Sequence, residues 1–456
     1  MNRFWFRIAL LPGGWAHGVS IDVRQGRISG VRVGMAAEAD DECHAVVIPG
    51  LANVHSHTFQ RAMAGLAEVA GPAGDDFWSW RELMYSFVDR LGPEDVEAIA
   101  ALAFAEMLES GFTRVAEFHY LHHAPDGAPY AQLAELAIRV AAAAAESGIG
   151  LTLLPVLYSY GNFGGTVAGG AQRRFVNDIE RFARLLGASR EALRPLEGAL
   201  LGVAPHSLRA VAPPDLDQVA HLAGAGPVHI HIAEQLREVN DCLAWSGRRP
   251  VEWLLDHAAV DTRWCLVHAT HMSPAEIRSL AQSGAVAGLC PVTEANLGDG
   301  IFPAEDYLAA EGAFGLGTDS NIHIDAAAEL CALEYSQRLA CLRRNVLAGV
   351  PGRSTGRRLF DAALTGGGQA AGVPGTGLAP GCPADFLSLD IEHPSLVGRT
   401  EDALLDSWIF AGGKSAIDCV WRAGHKVVAG GCHVRRDRIA RRYREVMRRL
   451  LLTTPG

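Results

Sequence analysis

Apolar and polar positions alternate with a period of two over residues 4–9, 19–23 and 27–33, and Gly13-Gly14 and Gln25-Gly26 separate the runs. Short alternating runs with glycine punctuation predict a small antiparallel sheet. A similar β-rich pattern returns at 384–389, 416–421 and 426–428. Two such segments flanking a long middle predict one small β-sandwich assembled from both chain ends, residues 1–48 and 376–430.

The middle, residues 49–375, alternates strand-like and helix-like units. Strands are expected to end at Val54 and to cover 113–118, 151–156, 200–204, 228–232, 265–268, 285–289 and 314–317. Helical patterns lie between most of them, at 93–110, 131–147, 178–186, 251–257 and 274–282, and one follows at 326–347. Pro93-Glu94-Asp95 opens the first of these, with a proline and acids where the helix dipole favours them. Eight βα units over more than 250 residues predict an α/β fold, a (β/α)8 TIM barrel, with chemistry at the C-terminal strand ends. A doubly wound open sheet is the competing architecture; no Gly-x-Gly-x-x-Gly after an early strand supports it. The glycine-rich 161–170 stretch lacks a Lys-Ser/Thr and reads as a mobile loop. Gly366-Gly367-Gly368 reads as a helix terminus. Residues 431–456 form a C-terminal helical pattern whose arginine cluster, 435–449, reads as a solvated face or a subunit contact.

Composition narrows the partners. No apolar run reaches the roughly 18 residues of a membrane helix, and the N-terminus, interrupted by Arg7, reads as a strand and not a signal peptide. A net charge of −11 argues against a nucleic-acid surface. Nine cysteines without a Cys-x-x-Cys pair read as buried thiols in a reducing cytoplasm, which disfavours a zinc–thiolate centre.

Candidate chemistry sits at the strand ends. His55 and His57 flank Ser56 just past the apolar run to Val54, and alternate strand residues project from one face. Val228-His229-Ile230-His231-Ile232-Ala233-Glu234 supplies a second pair, with His229 read as a core residue. His268 ends the next strand, and Asp319 follows the last, where the alternative is a helix cap. Three histidines and an aspartate at successive strand ends make a nitrogen–oxygen set suited to zinc, with iron equally compatible. A metal there lowers the pKa of a bound water toward about 7.

Pro49-Gly50-x-x-x-x-His55-x-His57, His231-x-x-Glu234, Val267-His268 and Gly317-Thr318-Asp319-Ser320 resemble the amidohydrolase superfamily, in its cytosine-deaminase-like aminohydrolase branch, over essentially the whole chain. The resemblance implies that His55, His57, His231 and Asp319 bind metal, that Glu234, His268 and Asp319 are catalytic, and that the protein is a homodimer. Many binuclear members use a carboxylated lysine as a bridge. The only lysines here are Lys414 and Lys426, outside the barrel, so one metal ion per chain is expected.

Narrower phrases, His57-Thr58-Phe59-Gln60-Arg61, Glu117-Phe118-His119-Tyr120-Leu121-His122-His123 and Cys290-Pro291-Val292-Thr293-Glu294-Ala295-Asn296-Leu297-Gly298-Asp299-Gly300, resemble the formimidoylglutamate deiminase family of histidine degradation. That resemblance implies hydrolysis of N-formimidoyl-L-glutamate, with Gln60, Arg81, Tyr120, His206, Arg209 and Glu234 on the substrate. By position alone Arg81 and Arg209 are two arginines among many; an arginine fork nevertheless suits carboxylates. A purine, pterin or S-adenosylhomocysteine aminohydrolase, or a catalytically silent metal-binding scaffold, remain the alternatives.

Overall fold

A computed structural model of the chain describes residues 2–71 and 74–452; the last four residues of the expected C-terminal segment lie outside them. Both chain ends enter one eight-stranded sheet. Its order runs Cys432–His433, His425–Ala429, Ile417–Arg422, Phe386–Leu389, Glu42–Pro49, Asn2–Leu11, Gly14–Arg24, Arg27–Arg32. The seam between the ends is the antiparallel pairing of Val47 with Ser388 and Pro49 with Phe386. The far strand turns back on the sheet, because the Ile28 amide donates to the Cys382 carbonyl and the Gly381 amide to that of Ile28. Phe4, Phe6, Val19, Ile21, Phe386 and Trp421 fill the space this encloses, which gives the expected sandwich its core.

The eight expected barrel strands all form, at Leu51–Ser56, Phe112–His119, Gly150–Leu157, Leu200–Leu201 with Ala204–Pro205, Val228–Ile232, Trp264–His268, Val286–Leu289 and Ala313–Leu316. They are parallel, and the last pairs with the first through Leu316 and Asn53. Bridges Val203–Val228 and Ser207–His231 close the ring between the fourth and fifth. Near-continuous burial of these strands is what a sheet covered on both faces requires. Only Gly50 separates Glu42–Pro49 from Leu51–Ser56, so the sheet passes directly into the strand that carries His55.

Four expectations are corrected. The triple glycine is not a helix terminus but lies within the helix Thr355–Ala370. A Cβ at Gly366 would fall 2.0 Å from the Phe314 carbonyl oxygen, so the glycines let that helix lie directly on a barrel strand. The helix expected over 326–347 stops at Cys341, and Leu342 takes φ 53°. Buried Glu334 draws the chain back by accepting the amides of Val346 and Leu347, each at 2.9 Å. The 161–170 stretch holds a two-stranded ribbon, Tyr160–Asn162 with Thr166–Val167, whose turn uses positive φ at Gly164 and Gly165. The helix expected from residue 431 begins only at Arg436, after the strand Cys432–His433, and ends the described chain at Leu452; Arg438, Arg441, Arg444 and Arg448 give it the expected solvated face, while its other side docks on Pro93–Glu109 within the same chain. Arg436 pairs with Glu106 and Glu109, Arg442 with Glu97, and Arg449 with Asp95. Among the described residues no helix is long and apolar enough to cross a membrane.

Candidate metal and substrate site

His55, His57, His231 and Asp319 meet at the C-terminal mouth of the barrel, their potential ligand atoms all within 4.8 Å of one another. The backbone brings the first and last strands together there. The Thr318 and Asp319 amides both donate to the His55 carbonyl at 3.0 Å, and the His57 amide donates to the Asp319 carbonyl at 2.9 Å. This forces Asp319 to φ 42°, sparsely populated for a non-glycine residue. Gly317 permits the approach, since a Cβ there would lie 2.8 Å from both the His55 Cβ and the Cys290 Sγ. Asp325, not Asp319, caps the helix Ala326–Cys341, which removes the capping explanation for Asp319.

The histidine nitrogens are aimed. His57 Nδ1 donates to the Phe118 carbonyl at 3.0 Å and His231 Nδ1 to that of His206 at 3.1 Å, so their Nε2 lone pairs point inward. Burial keeps the imidazoles of His55 and His231 neutral, well below the usual range, and holds His57 down at about 3. His55 Nε2 lies 3.1 Å from His57 Nε2, 3.0 Å from His231 Nε2 and 3.3 Å from Asp319 Oδ1; His57 Nε2 is also 3.3 Å from Asp319 Oδ1. The Nε2 acceptors of His57 and His231 thus converge with His55 Nε2 and the Asp319 carboxylate on one point, an arrangement that suits a cation. Ligands about 2.0–2.1 Å from a tetrahedral zinc stand roughly 3.3 Å apart, so the donor set fits.

Beside the cluster, His268 (φ 67°) lies between two carboxylates. Its Nδ1 is 3.2 Å from Glu294 Oε1 and its Nε2 3.8 Å from Glu234 Oε1. Burial lowers the His268 pKa, but Glu234 and Glu294 outweigh it and push it up to about 10. Burial raises Glu234 to about 7, partly offset by His268.

The adjoining cleft is lined by Gln60, Arg81, Tyr120, His206, Arg209 and Glu234, with Tyr158, Phe175 and Trp80 among its further walls. All six expected substrate residues therefore share one cavity with His57, His231, His268 and Asp319. Gln60 Nε2 donates to the Tyr120 hydroxyl at 2.8 Å. Arg81 lies on the helix Phe77–Val88, capped by Asp76. The Nε atoms of Arg81 and Arg209 are buried without a hydrogen-bond partner. Burial lowers the pKa of Arg209, but nearby Glu238, Tyr158 and Glu234 reverse this and raise it. An unpaired buried donor is costly, so a cleft holding two such guanidinium groups is built for an anion.

The amidohydrolase family model matches residues 46–427. The chain belongs to the amidohydrolase family. A second model, described as formimidoylglutamate deiminase HutF, N-terminal domain, matches residues 4–45. The chain is 52% identical to the formimidoylglutamate deiminase of Pseudomonas aeruginosa over 458 aligned positions, covering 99% of this chain and 100% of the relative. A crystal structure of an amidohydrolase from Brucella melitensis superposes with TM-score 0.96 at 55% identity, over 99% of this chain and all of the other. An adenosine deaminase from Xanthomonas campestris, with bound zinc, shares the fold at TM-score 0.82 and 22% identity, over 99% of each chain.

Within this amidohydrolase chain several residues beside the site carried no readable signal. Asn53 donates to Thr318 Oγ1 at 2.6 Å and accepts the Thr318 amide, while Asn321 donates to Ser56 Oγ and to the carbonyls of His57 and Asp319. Glu117 accepts the amide and hydroxyl of Thr58, next to His57. Glu294 stands inside the Cys290–Gly300 phrase; its spacing from Cys290, whose amide it accepts at 2.9 Å, was the available clue. Of the histidines left without a role, His122 is tied to the Val156 carbonyl, His123 to that of Val176, His271 to that of Asp299 and, as expected for a core residue, His229 to that of Ala370; His119 packs edge-on against His122 with its Nε2 unpartnered among the described residues.

Proposed function

We infer that the protein is a hydrolase of the formimidoylglutamate deiminase type, converting N-formimidoyl-L-glutamate and water to N-formyl-L-glutamate and ammonia. The observation that carries this is the pair of unpartnered guanidinium groups, Arg81 and Arg209, in one cleft with the histidine–aspartate cluster. The glutamate moiety offers two carboxylates to such a pair. The close relative from P. aeruginosa supports the same substrate.

His55, His57, His231 and Asp319 would hold one zinc ion, or iron in its place; the barrel has no lysine to bridge a second ion. A divalent ion there supplies a water acidified to the point of being a nucleophile near neutral pH. Arg81 and Arg209 fix the carboxylates, with Gln60, Tyr120 and His206 completing the cradle, and this places the formimino carbon over the cluster. Asp319 takes a proton from the attacking water. Glu234 delivers a first proton to the formimino nitrogen as the water oxygen adds to the carbon; the proton held on Asp319 is the second, so that the C–N bond to that nitrogen breaks and ammonia leaves while the remaining hydroxyl proton returns to Glu234. His268, held between Glu234 and Glu294, steadies the oxygen that becomes the formyl carbonyl. In this reading residues 49–375 are the catalytic barrel, 1–48 with 376–430 the sandwich domain and 431–456 the C-terminal helix, in a cytoplasmic homodimer.

The test is ammonia release from N-formimidoyl-L-glutamate by metal-loaded protein, with metal analysis near one ion per chain. Removal of the metal by a chelator should abolish turnover and zinc should restore it. Deamination of guanine or adenosine with no activity on the formimidoyl compound would overturn the assignment.

A further inference from the structure

Among the described residues no carboxylate makes an ion pair with Arg81 or Arg209; one indole lies against both. Three guanidinium carbons approach the ring centroid of Trp78: Arg81 at 4.5 Å, Arg237 at 4.5 Å and Arg209 at 5.8 Å. Trp78 is on the same helix as Arg81, Arg209 follows the fourth barrel strand, and Arg237 is in the helix Leu236–Ser246, just after Glu234. One side chain thus touches all three segments that furnish cations at this end of the cleft. Arg237 is largely exposed, with only Asp241 as an ion partner at 4.0 Å.

Like charges gathered in a partly desolvated cleft repel unless something offsets them. Glu238 and Glu234 offset part of the charge on Arg209 from a distance, but a carboxylate in direct contact would occupy the hydrogen-bond donors that an incoming carboxylate needs. An aromatic face attracts the guanidinium groups through its quadrupole and leaves their N–H edges free. We propose that Trp78 is a positioning residue for the dicarboxylate pocket: it holds Arg81 and Arg209 together and ready before substrate arrives, and registers the Arg237 helix against them. Trp78 does not itself line the cleft, so its effect falls on binding of the carboxylates and not on the reacting carbon.

The proposal rests on the formimidoylglutamate reading, and its test separates the two. Trp78→Leu and Trp78→Phe are compared with wild type, all metal-loaded, for kcat and KM on N-formimidoyl-L-glutamate and on the monocarboxylate N-formimidoylglycine. Calorimetry with N-formyl-L-glutamate gives binding without turnover. Trp78→Leu should raise KM for the dicarboxylate about 10-fold, weaken binding of N-formyl-L-glutamate in parallel, leave kcat within about twofold, and narrow the preference over the monocarboxylate. Trp78→Phe, which keeps an aromatic face, should recover most of the loss, and metal content should be the same in all three. An unchanged KM in Trp78→Leu, equal impairment of Trp78→Phe, or a fall in kcat with loss of metal would overturn the role of Trp78 alone. A wild type that neither turns over nor binds the dicarboxylates would overturn the substrate reading and the pocket together.

Discussion

An imidazole is aimed as a ligand or a proton carrier when its other nitrogen is fixed, and two kinds of group do this here. Main-chain carbonyls accept from Nδ1 of His57 and His231 and set their tautomer. A carboxylate, Glu294, holds His268 at Nδ1 and is itself set by the Cys290 amide. Outer partners of this kind are worth about 10- to 100-fold when removed. Glu294→Gln should therefore lower kcat by about that factor with little change in KM, because the substrate's carboxylates are bound elsewhere, and steady-state kinetics would check it. A rise in KM at constant kcat would assign Glu294 to substrate binding instead. At this scale His55, His57, His231, His268 and Asp319 were legible because strand periodicity and strand ends place them. Asn53, Thr318 and Asn321 were not: their bonds span some 265 positions of sequence, and nothing local marks them.

Among the elements, the helix Arg436–Leu452 is informative because it keeps a solvated arginine face and also pairs with its own chain. Its arginines face carboxylates on Pro93–Glu109 and, at Glu146, on Glu135–Ser147. Burial raises the Glu97 carboxyl, but hydrogen bonds from Arg442 and Arg139 outweigh it and hold the pKa below its ordinary value. A depressed pKa in the folded chain means stabilisation that is present above the unfolded-state value, about 4.3, and lost as pH falls through the folded one. Hydrogen-exchange protection of this helix, corrected for intrinsic rates, should hold from neutral pH to about 5 and decline below about 4. Glu109, raised by burial, works with the opposite sign near Arg436. Arg442→Met removes its pairs with Glu97 and Glu146 together and should flatten the decline; an identical profile in that variant would rule out these pairs as its source. The barrel strands and most helices could be read from periodicity alone. The early stop at Cys341 could not, since Glu334 acts on amides 12 and 13 residues away. The glycines packed at Phe314 could not either, because their contact is across the fold.

The whole molecule is tied at one point. The ligand cluster draws on the first, fifth and last barrel strands, and the first continues the sheet built from both chain ends. A metal at that point would link segments more than 260 residues apart and bind only the folded chain. At a thousandfold excess over Kd, such binding stabilises by about 4 kcal/mol. Stripping the metal should then lower Tm by several degrees, and adding zinc should restore it. Calorimetry of the stripped and reloaded protein checks this, and equal Tm values after verified metal removal would show that the cluster is self-supporting.

Sequence alone determined the order of strands and helices, the barrel, and which side chains stand at strand ends, because these follow from short-range periodicity and turn chemistry. The absence of lysine from the barrel underlies the expectation of one ion, and the family resemblance nominated the cleft residues. Tertiary structure decided what depends on distance through space. It aimed the Nε2 atoms, set Glu294 behind His268 and Trp78 against the arginines, laid the glycine-rich helix on a strand, and turned a charged C-terminal run into an internal brace. Each is a contact between side chains or backbone groups far apart in sequence, and their geometry exists only once the ring of strands has closed.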